Sequence, residues 1–239
     1  MPTVKHDFHA RSSQKEYMDR PGTADDDFSA SLSFIEFVNR FGGGNRAVLQ
    51  ALRKIMDTLL LRGGITVADV GCGPASIVGP LRRLARHGPF PVTYEGSDIS
   101  PAFLAVARRK YSGTDVRFYQ SDVFTDESPA DIVICSMLLH HFDAGDVERA
   151  LRQLYKRARS AVIINDLYRS PLTYMLCFAA TRFVPNRVCR HDALLSVRKG
   201  FRPDELQDLF DRLGLRGTVW RAFGGRVVAI IWKDKGGKS

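Results

Sequence analysis

A chain of 239 residues is long enough for one α/β domain with appendages and for a full hydrophobic core. With 44% hydrophobic and 26% charged residues and a mean hydropathy of −0.16, it is not a disordered chain, a collagen-like fibre or a polytopic membrane protein. Thirty-five Lys and Arg against 26 Asp and Glu leave a formal charge of +9. That surplus favours anionic partners without naming one, and its scatter (Arg82-Arg83, Arg108-Arg109-Lys110, Arg157, Arg159) reads as a solvated surface.

Residues 1–28 are polar, lack the apolar segment of a secretory signal, and break at Pro21-Gly22 before Asp25-Asp26-Asp27; they read as a loosely docked arm. From Ser29, the residues Leu32, Ile35 and Val38 recur at helical spacing until Phe41 and Gly42-Gly43-Gly44. Val48, Leu52, Ile55, Leu59 and Leu60 mark a second helix that stops at Gly63-Gly64. Residues 1–64 therefore read as an N-terminal arm and helical lid before a domain over 65–239.

The period then changes. Ile65–Val70 is a short apolar run entering Gly71-Cys72-Gly73, a buried strand ending in a tight loop. Further strands are expected at Val92–Ser97, Val116–Gln120, Ile132–Cys135 and Ala161–Asn165, with helices at Ile77–His87, Pro101–Tyr111 and Ala144–Ala158 between them. In the last helix Val147, Ala150, Leu151, Leu154 and Ala158 form the stripe of a helix packed on a sheet. Such alternation means parallel strands with right-handed crossovers. Residues 167–199 interrupt it with an aromatic, Arg-rich insertion. Pro203–Leu213 is a helix stopped by Gly214, and Thr218–Phe223 and Arg226–Trp232 flank Gly224-Gly225 as an antiparallel hairpin.

Cys72, Cys135, Cys177 and Cys189 form no CxxC pair, so neither a zinc ribbon nor a disulfide framework is expected, and a reducing, cytoplasmic setting fits better. The longest apolar stretch, Pro171 to Val184, contains Thr173 and Arg182 and is shorter than the roughly 20 residues of a membrane span.

The segment Val67–Ser76 carries the chemistry. Glycines after a buried strand let the backbone turn and approach a ligand, and the next helix offers free N–H groups. Asp98, ending the second strand, can accept both ribose hydroxyls of an adenosine cofactor, a device that nicotinamide enzymes share. Asp122, after the third strand, can accept from an adenine amino group or simply cap a turn. All three features sit at strand carboxyl ends, where open α/β sheets bind ligands.

Asp69-Val70-Gly71-Cys72-Gly73, Gly96-Ser97-Asp98-Ile99-Ser100-Pro101, Ser121-Asp122-Val123 and Asp131–Ser136 resemble the successive motifs of class I S-adenosylmethionine-dependent methyltransferases. The resemblance implies an α/β Rossmann-like fold with a seven-stranded, mostly parallel sheet of order 3-2-1-4-5-7-6, strand 7 antiparallel, and helices on both faces. It implies that Gly71 and Gly73 flank the methionine part of S-adenosylmethionine, that Asp98 holds the ribose, and that Asp122 and Val123 meet the adenine. Ser136 and Met137 would lie beside the sulfonium, with Asp69, Cys72, Ala75 and Ile99 completing the contacts. Ala75 stands where the family often has a third glycine.

Methyl transfer from a sulfonium needs alignment, exclusion of water and, for some acceptors, a base. After the fourth strand come His140 and His141, either of which can deprotonate a phenol or enol, or merely pack the following turn. The run Asp166-Leu167-Tyr168-Arg169-Ser170-Pro171, with His191-Asp192, Ser196 and Arg198, resembles small bacterial methyltransferases of the ubiquinone/menaquinone and polyketide-tailoring kind. Arg169, the third catalytic candidate, His191 and Arg198 are expected to hold a carboxylate or phenolate, or else to pair with Asp166 and Asp192. Tyr174, Met175, Leu176, Phe178 and Phe183 either roof a pocket for a flat acceptor or form an ordinary core helix. Tyr17, Tyr168 and Met175 join the substrate candidates, and Tyr17 with the Asn39-Arg40 and Gly43–Arg46 turn suits a lid or, equally, a simple helical hairpin on the sheet edge. No metal is expected, because Ser136 stands where metal-dependent relatives need a carboxylate, the two histidines lack a third ligand, and no HExxH motif is present.

The expected activity is methylation of a small aromatic, quinol or polyketide-like acceptor, on oxygen by preference and on carbon as the variant. Nucleic-acid methylation is permitted by the charge but lacks a [DN]PP[YF] loop or a Pro-Cys nucleophile. A non-catalytic cofactor-binding protein of the same fold, and a homodimer, both stay open. A nicotinamide enzyme is disfavoured because Ser76 replaces the last glycine of GxGxxG.

Overall fold

The computed structural model describes residues 7–17, 42–59, 64–86, 91–182 and 184–234. The expected helix over 29–41, the Asn39-Arg40 turn, Leu60, His87 and Phe183 lie outside the described residues.

Seven strands pair into one sheet: β1 (Ile65–Val70), β2 (Val92–Asp98), β3 (Arg117–Gln120), β4 (Ala130–Ser136), β5 (Ala158–Leu167), β6 (Gly217–Ala222) and β7 (Arg226–Trp232). Their order is β3-β2-β1-β4-β5-β7-β6, as expected. β1 to β5 run parallel, and β7 lies antiparallel between β5 and β6. The inner strands β1, β4, β5 and β7 are apolar almost throughout because helices cover both their faces. The edges β3 and β6 are half-exposed, and β3 has only four residues.

The helices among the described residues are α1 (Gly44–Leu59), α2 (Val78–Arg86), α3 (Pro101–Lys110), α4 (Ala144–Arg157), α5 (Pro171–Thr181), α6 (Arg187–Lys199) and α7 (Pro203–Leu213). Side-chain caps start four of them. Ser100, Asp143, Ser170 and Asn186 each accept from the backbone N–H three residues on, and Pro follows directly at α3 and α5. Gly214, at φ +67°, ends α7. No described helix is long and apolar enough to cross a membrane.

Two cores result. On one face, Leu52 and Ile55 of α1 and Leu81 of α2 pack on Val67, Ile134, Ile163 and Val228. On the other, Leu151 and Leu154 of α4 and Leu206 and Phe210 of α7 pack on Val70, Cys135, Ile164 and Ala229. α1 is thus built into the sheet face, although the sequence places it in the lid. The insertion forms α5 and α6. Leu172, Met175, Leu176 and Phe178 of α5 are exposed, Phe178 lining an open cavity against α6, and Thr173 and Thr181 are its buried residues.

The β6–β7 turn ties the strand ends to their surroundings. Gly224 and Gly225 adopt φ +78° and +68°, and a Cβ on them would overlap Gly42 and Thr173 respectively. Gly200 is a second close approach. It sits between α6 and Phe201, whose N–H donates to the Leu167 carbonyl at 2.9 Å. A Cβ at Gly200 would overlap that same carbonyl. Gly200→Ala is expected to destabilise the fold by about 1–3 kcal/mol, lowering the urea midpoint without changing the slope.

Candidate functional site

Side-chain alternation places the polar residues. Val67, Ile134, Ile163 and Val228 share the core beneath α1. Two residues nearer the carboxyl edge, Asp69, Ser136 and Asn165 face the same side, and so does Arg226 on the reversed strand β7. One rim therefore carries an acid, a hydroxyl, an amide and a guanidinium.

The loop after β1 folds back on β2. Gly71 and Gly73 adopt φ +68° and +51°, and the N–H groups of Gly71 and Cys72 both donate to the Ser97 carbonyl, at 2.8 and 3.0 Å. Gly73 N–H donates to Asp98 Oδ2 at 2.8 Å, while Ser100 N–H donates to Oδ1 at 2.9 Å. A side chain at Gly71 would press on Leu138, whereas no atom lies within 4 Å of the corresponding position at Gly73. The loop is open there. Ala75, fully buried, takes φ +55°, so the alanine adopts the backbone conformation that the family's glycine favours.

Burial dominates the acids. It pushes Asp69 up to about 7, against a hydrogen bond from Tyr94 Oη at 2.7 Å, with Asp98 adding a smaller push. Asp98 is also raised by burial, opposed by the N–H groups of Ser100 and Gly73. Beyond them Ile99 is 65% exposed, an apolar shelf beside a carboxylate. Val123 is buried, and Asp122 turns Oδ1 to the Phe124 N–H at 2.9 Å, the turn-capping role left open by the sequence.

At the end of β4, Asn165 Nδ2 donates to Ser136 Oγ at 2.7 Å, and Met137 N–H donates to the Asn165 carbonyl at 2.8 Å. Met137 has φ +59°, a left-handed backbone that costs a non-glycine residue roughly 1–3 kcal/mol and concentrates at functional sites. Arg226 Nη1 reaches the Met137 thioether, and Nε reaches the Gly42 carbonyl at 3.4 Å.

His140 is buried. Its Nδ1 lies 2.7 Å from Asp166 Oδ1, and its backbone N–H donates to Oδ2 at 3.2 Å. Burial works against the Asp166 carboxylate, but the His140 contacts outweigh it and hold that acid below its ordinary range. His141 packs ring-on-ring at 4.2 Å and keeps 30% of its side chain exposed. Glu16, invisible as a site residue in the sequence, comes from the N-terminal strap to within 3.9 Å of His140 Nε2 and 4.0 Å of His141 Nδ1. Glu16, His140 and His141 thus offer three metal-ligand atoms within 4.8 Å of one another. Lys199 Nζ, 3.5 Å from Glu16 Oε1, already supplies that carboxylate with a cation, and Ser196 Oγ donates to it at 2.9 Å.

Arg169 is displaced from the catalytic role expected of it. Its guanidinium donates to the carbonyls of Phe8, His9 and Gly200 and pairs with Glu205. The group fastens the strap to α7 and keeps little donor capacity for a substrate. Tyr17 and His191 meet edge-on at 4.6 Å near Asp192, which accepts from the Tyr17 N–H at 2.9 Å. Met175 is exposed on α5, Tyr168 lies under Arg221 beside β6, and Arg198 keeps Nε buried without a partner. Two open cavities are about 340 Å³ beside α1 and α2, lined by Arg46, and about 230 Å³ between α5 and α6, lined by Phe178, Arg190 and the substrate candidate His191.

Residues 67–160 match the family model described as a methyltransferase domain. The matched residues are under half of the chain, and the fold around them is the Rossmann-like methyltransferase fold. Over 126 residues, 46% of the chain, the protein is 31% identical to the non-reducing polyketide synthase pkiA of Emericella nidulans, and it spans 5% of that synthase. The methyltransferase fold recurs in solved structures at low identity. The plantazolicin methyltransferase BpumL, with a triazolic desmethylplantazolicin analogue and SAH, has a TM-score of 0.69 at 12% identity over 88% of this chain and 92% of its own. Magnesium protoporphyrin IX methyltransferase from Synechocystis PCC 6803, with bound SAH, has a TM-score of 0.59 at 17% identity over 87% and 97%.

The raised acid at the end of β1 has a readable pH signature. Asp69 titrates near 7 folded against an ordinary 3.8, so the folded state keeps a proton that the unfolded chain releases between those values. Its contribution to stability is complete below about 3.8 and is lost as pH rises toward 7. Asp166, shifted the other way, acts in a separate acidic window, losing its contribution as pH falls through its lowered value. In Asp69→Asn the amide still accepts from Tyr94. The decline in thermal midpoint from pH 5 to pH 8 is expected to flatten in that variant.

Proposed function

We propose that this domain binds S-adenosylmethionine across the Gly71–Gly73 loop and Asp98 and passes its methyl group to a small aromatic, quinol or polyketide-like acceptor, on oxygen by preference and on carbon as the alternative. The observation that carries this reading is the Gly73 N–H to Asp98 bond. It brings an open glycine, a carboxylate with further acceptor capacity and the exposed Ile99 together on one rim. Such a rim suits a ribose against the carboxylate and a flat base against the apolar shelf. The match to a polyketide synthase supports a polyketide-like acceptor.

The cofactor, when bound, supplies an activated methyl group on a sulfonium. The chain's residues do the rest. Asp98 holds the ribose hydroxyls, Met137 and Ser136 border the reacting end, and the strap of residues 7–17 brings Glu16 against His140 and His141. Asp166 fixes His140 through Nδ1, and His140 stacks on His141. His141, the more exposed of the two, takes the proton of a phenol or enol. The imidazolium so formed lies beside Glu16 and near Asp166, two carboxylates that favour its charge.

The test is mass-spectrometric detection of one added methyl group across phenols, quinols and polyketide lactones. Asp98→Ala is expected to weaken cofactor binding by about 10²-fold in calorimetry, through two lost bonds to a charged acceptor. His141→Ala is expected to lower kcat by ~10²–10⁴-fold while cofactor affinity stays at the wild-type value. Normal cofactor binding by Asp98→Ala would remove the assignment of the rim.

A further inference from the structure

Two side chains at the strand ends are fully buried and still lack a partner. Asn165 and Arg226 each have 0% exposure. Asn165 Oδ1 and Arg226 Nη2 form no hydrogen bond. Around them the polar groups are otherwise used: Asn165 Nδ2 on Ser136, Arg226 Nε on the Gly42 carbonyl, and Arg226 Nη1 on a thioether, a weak acceptor. The carboxylate that acts on Arg226 through space, Asp166, is already held by His140. A buried guanidinium without a bonded anion is costly, and so is an amide oxygen without a donor. Burial accordingly pushes Arg226 down to about 10.

Position says which ligand would complete them. β5 and β7 stand on the far side of β4 from the glycine loop of β1. The two unpaired atoms thus flank Ser136-Met137 on the acceptor half of the rim, away from Asp98. A missing partner must accept from a cationic donor and, beside that, donate to an amide oxygen. We infer that Arg226 and Asn165 form the recognition pair for the acceptor, Arg226 Nη2 donating to an anionic or polarised oxygen and Asn165 Oδ1 accepting from an adjacent hydroxyl. The chemical class is an ortho-hydroxyaryl carbonyl or an enolised β-dicarbonyl. This rests on reading the rim as a methyl-transfer site and narrows the acceptor within that reading.

Binding rather than turnover tests the pair, so that failure of the methyl-transfer reading stays separate. The full chain, loaded with S-adenosylhomocysteine, is titrated with 2-hydroxyacetophenone, acetophenone and 2-methoxyacetophenone. The hydroxy compound is expected to bind about ten- to hundredfold more tightly than the other two, as a bond to a charged donor predicts. Arg226→Met is expected to erase that preference and to keep or raise the thermal midpoint, because it removes an unpaired buried charge. Arg226→Lys, which retains charge and reach without the fork, is the second variant and should retain only part of the preference. S-adenosylhomocysteine affinity should be the same in all three proteins. Equal binding of the three probes by the wild type, or a preference unchanged in both variants, overturns the proposal. A loss of S-adenosylhomocysteine affinity with probe binding intact also overturns it, by assigning the pair to the amino-acid end of the cofactor. If wild-type protein binds the probes selectively yet methylates none of the panel, the transfer reading fails while the recognition pair stands.

Discussion

The structure is organised by one constraint: its inner strands are covered on both faces, so polar side chains are excluded from the sheet except where the strands end. Val67, Ile134, Ile163 and Val228 fill the sheet beneath α1, and the next residues on the same face are Asp69, Ser136, Asn165 and Arg226. The change from apolar to polar happens within one pleat on four strands. Asp69, Asn165 and Arg226 are buried and Ser136 half-buried, and burial makes an ionisable group sensitive to whatever charge is nearby. The chemistry of the rim is therefore a consequence of the sheet being so apolar.

The second organising element is the strap of residues 7–17. It has no regular structure and is fixed by polar contacts. Arg169 takes the Phe8 and His9 carbonyls, and Arg11 donates to the Lys199 and Phe142 carbonyls while lying over the Phe201 ring at 4.2 Å. The outcome is the delivery of Glu16 into a pocket shared by His140, His141, Ser196 and Lys199. A buried carboxyl group is costly unless its oxygens find partners, and Ser196 and Lys199 supply them. Lys199 and Ser196 come from the last turns of α6, so the insertion after β5 and the N-terminal strap complete the same cluster from opposite ends of the chain.

The inner strands β1, β4, β5 and β7 are legible as apolar runs bounded by glycine or polar residues, and the motifs at the strand ends carry the strand order through the family resemblance. Boundaries moved where polarity misled. β5 was expected over 161–165 and extends from Ala158 to Leu167, because Arg159 and Ser160 lie on the more exposed end and Asp166 is buried against His140. α5 was read from its apolarity as roof or core, and its exposed face shows that composition alone does not say which side of a helix finds a partner. The glycine loop and Asp98 were visible as motifs. Glu16 was not, since a lone acid in a polar arm carries no periodic or spacing signal and acquires meaning only through a contact far along the chain. Arg226 and Asn165 were missed for a related reason. Each sits at the end of a strand that reads as apolar, and whether a strand-end polar group is solvated or trapped depends on the loops packed over it.

Electrostatically the rim divides along the strand order. On the β1–β2 side burial raises Asp69 and Asp98, two acids whose ionised forms lack enough compensating charge. On the β5–β7 side burial lowers Arg226, a cation in the converse position. An acid raised by burial is relieved by a cation, and a base lowered by burial is relieved by an anion. A positively charged methyl donor on the first half and an electron-rich oxygen on the second would satisfy both deficits at once, and the strain left in Met137 sits between them.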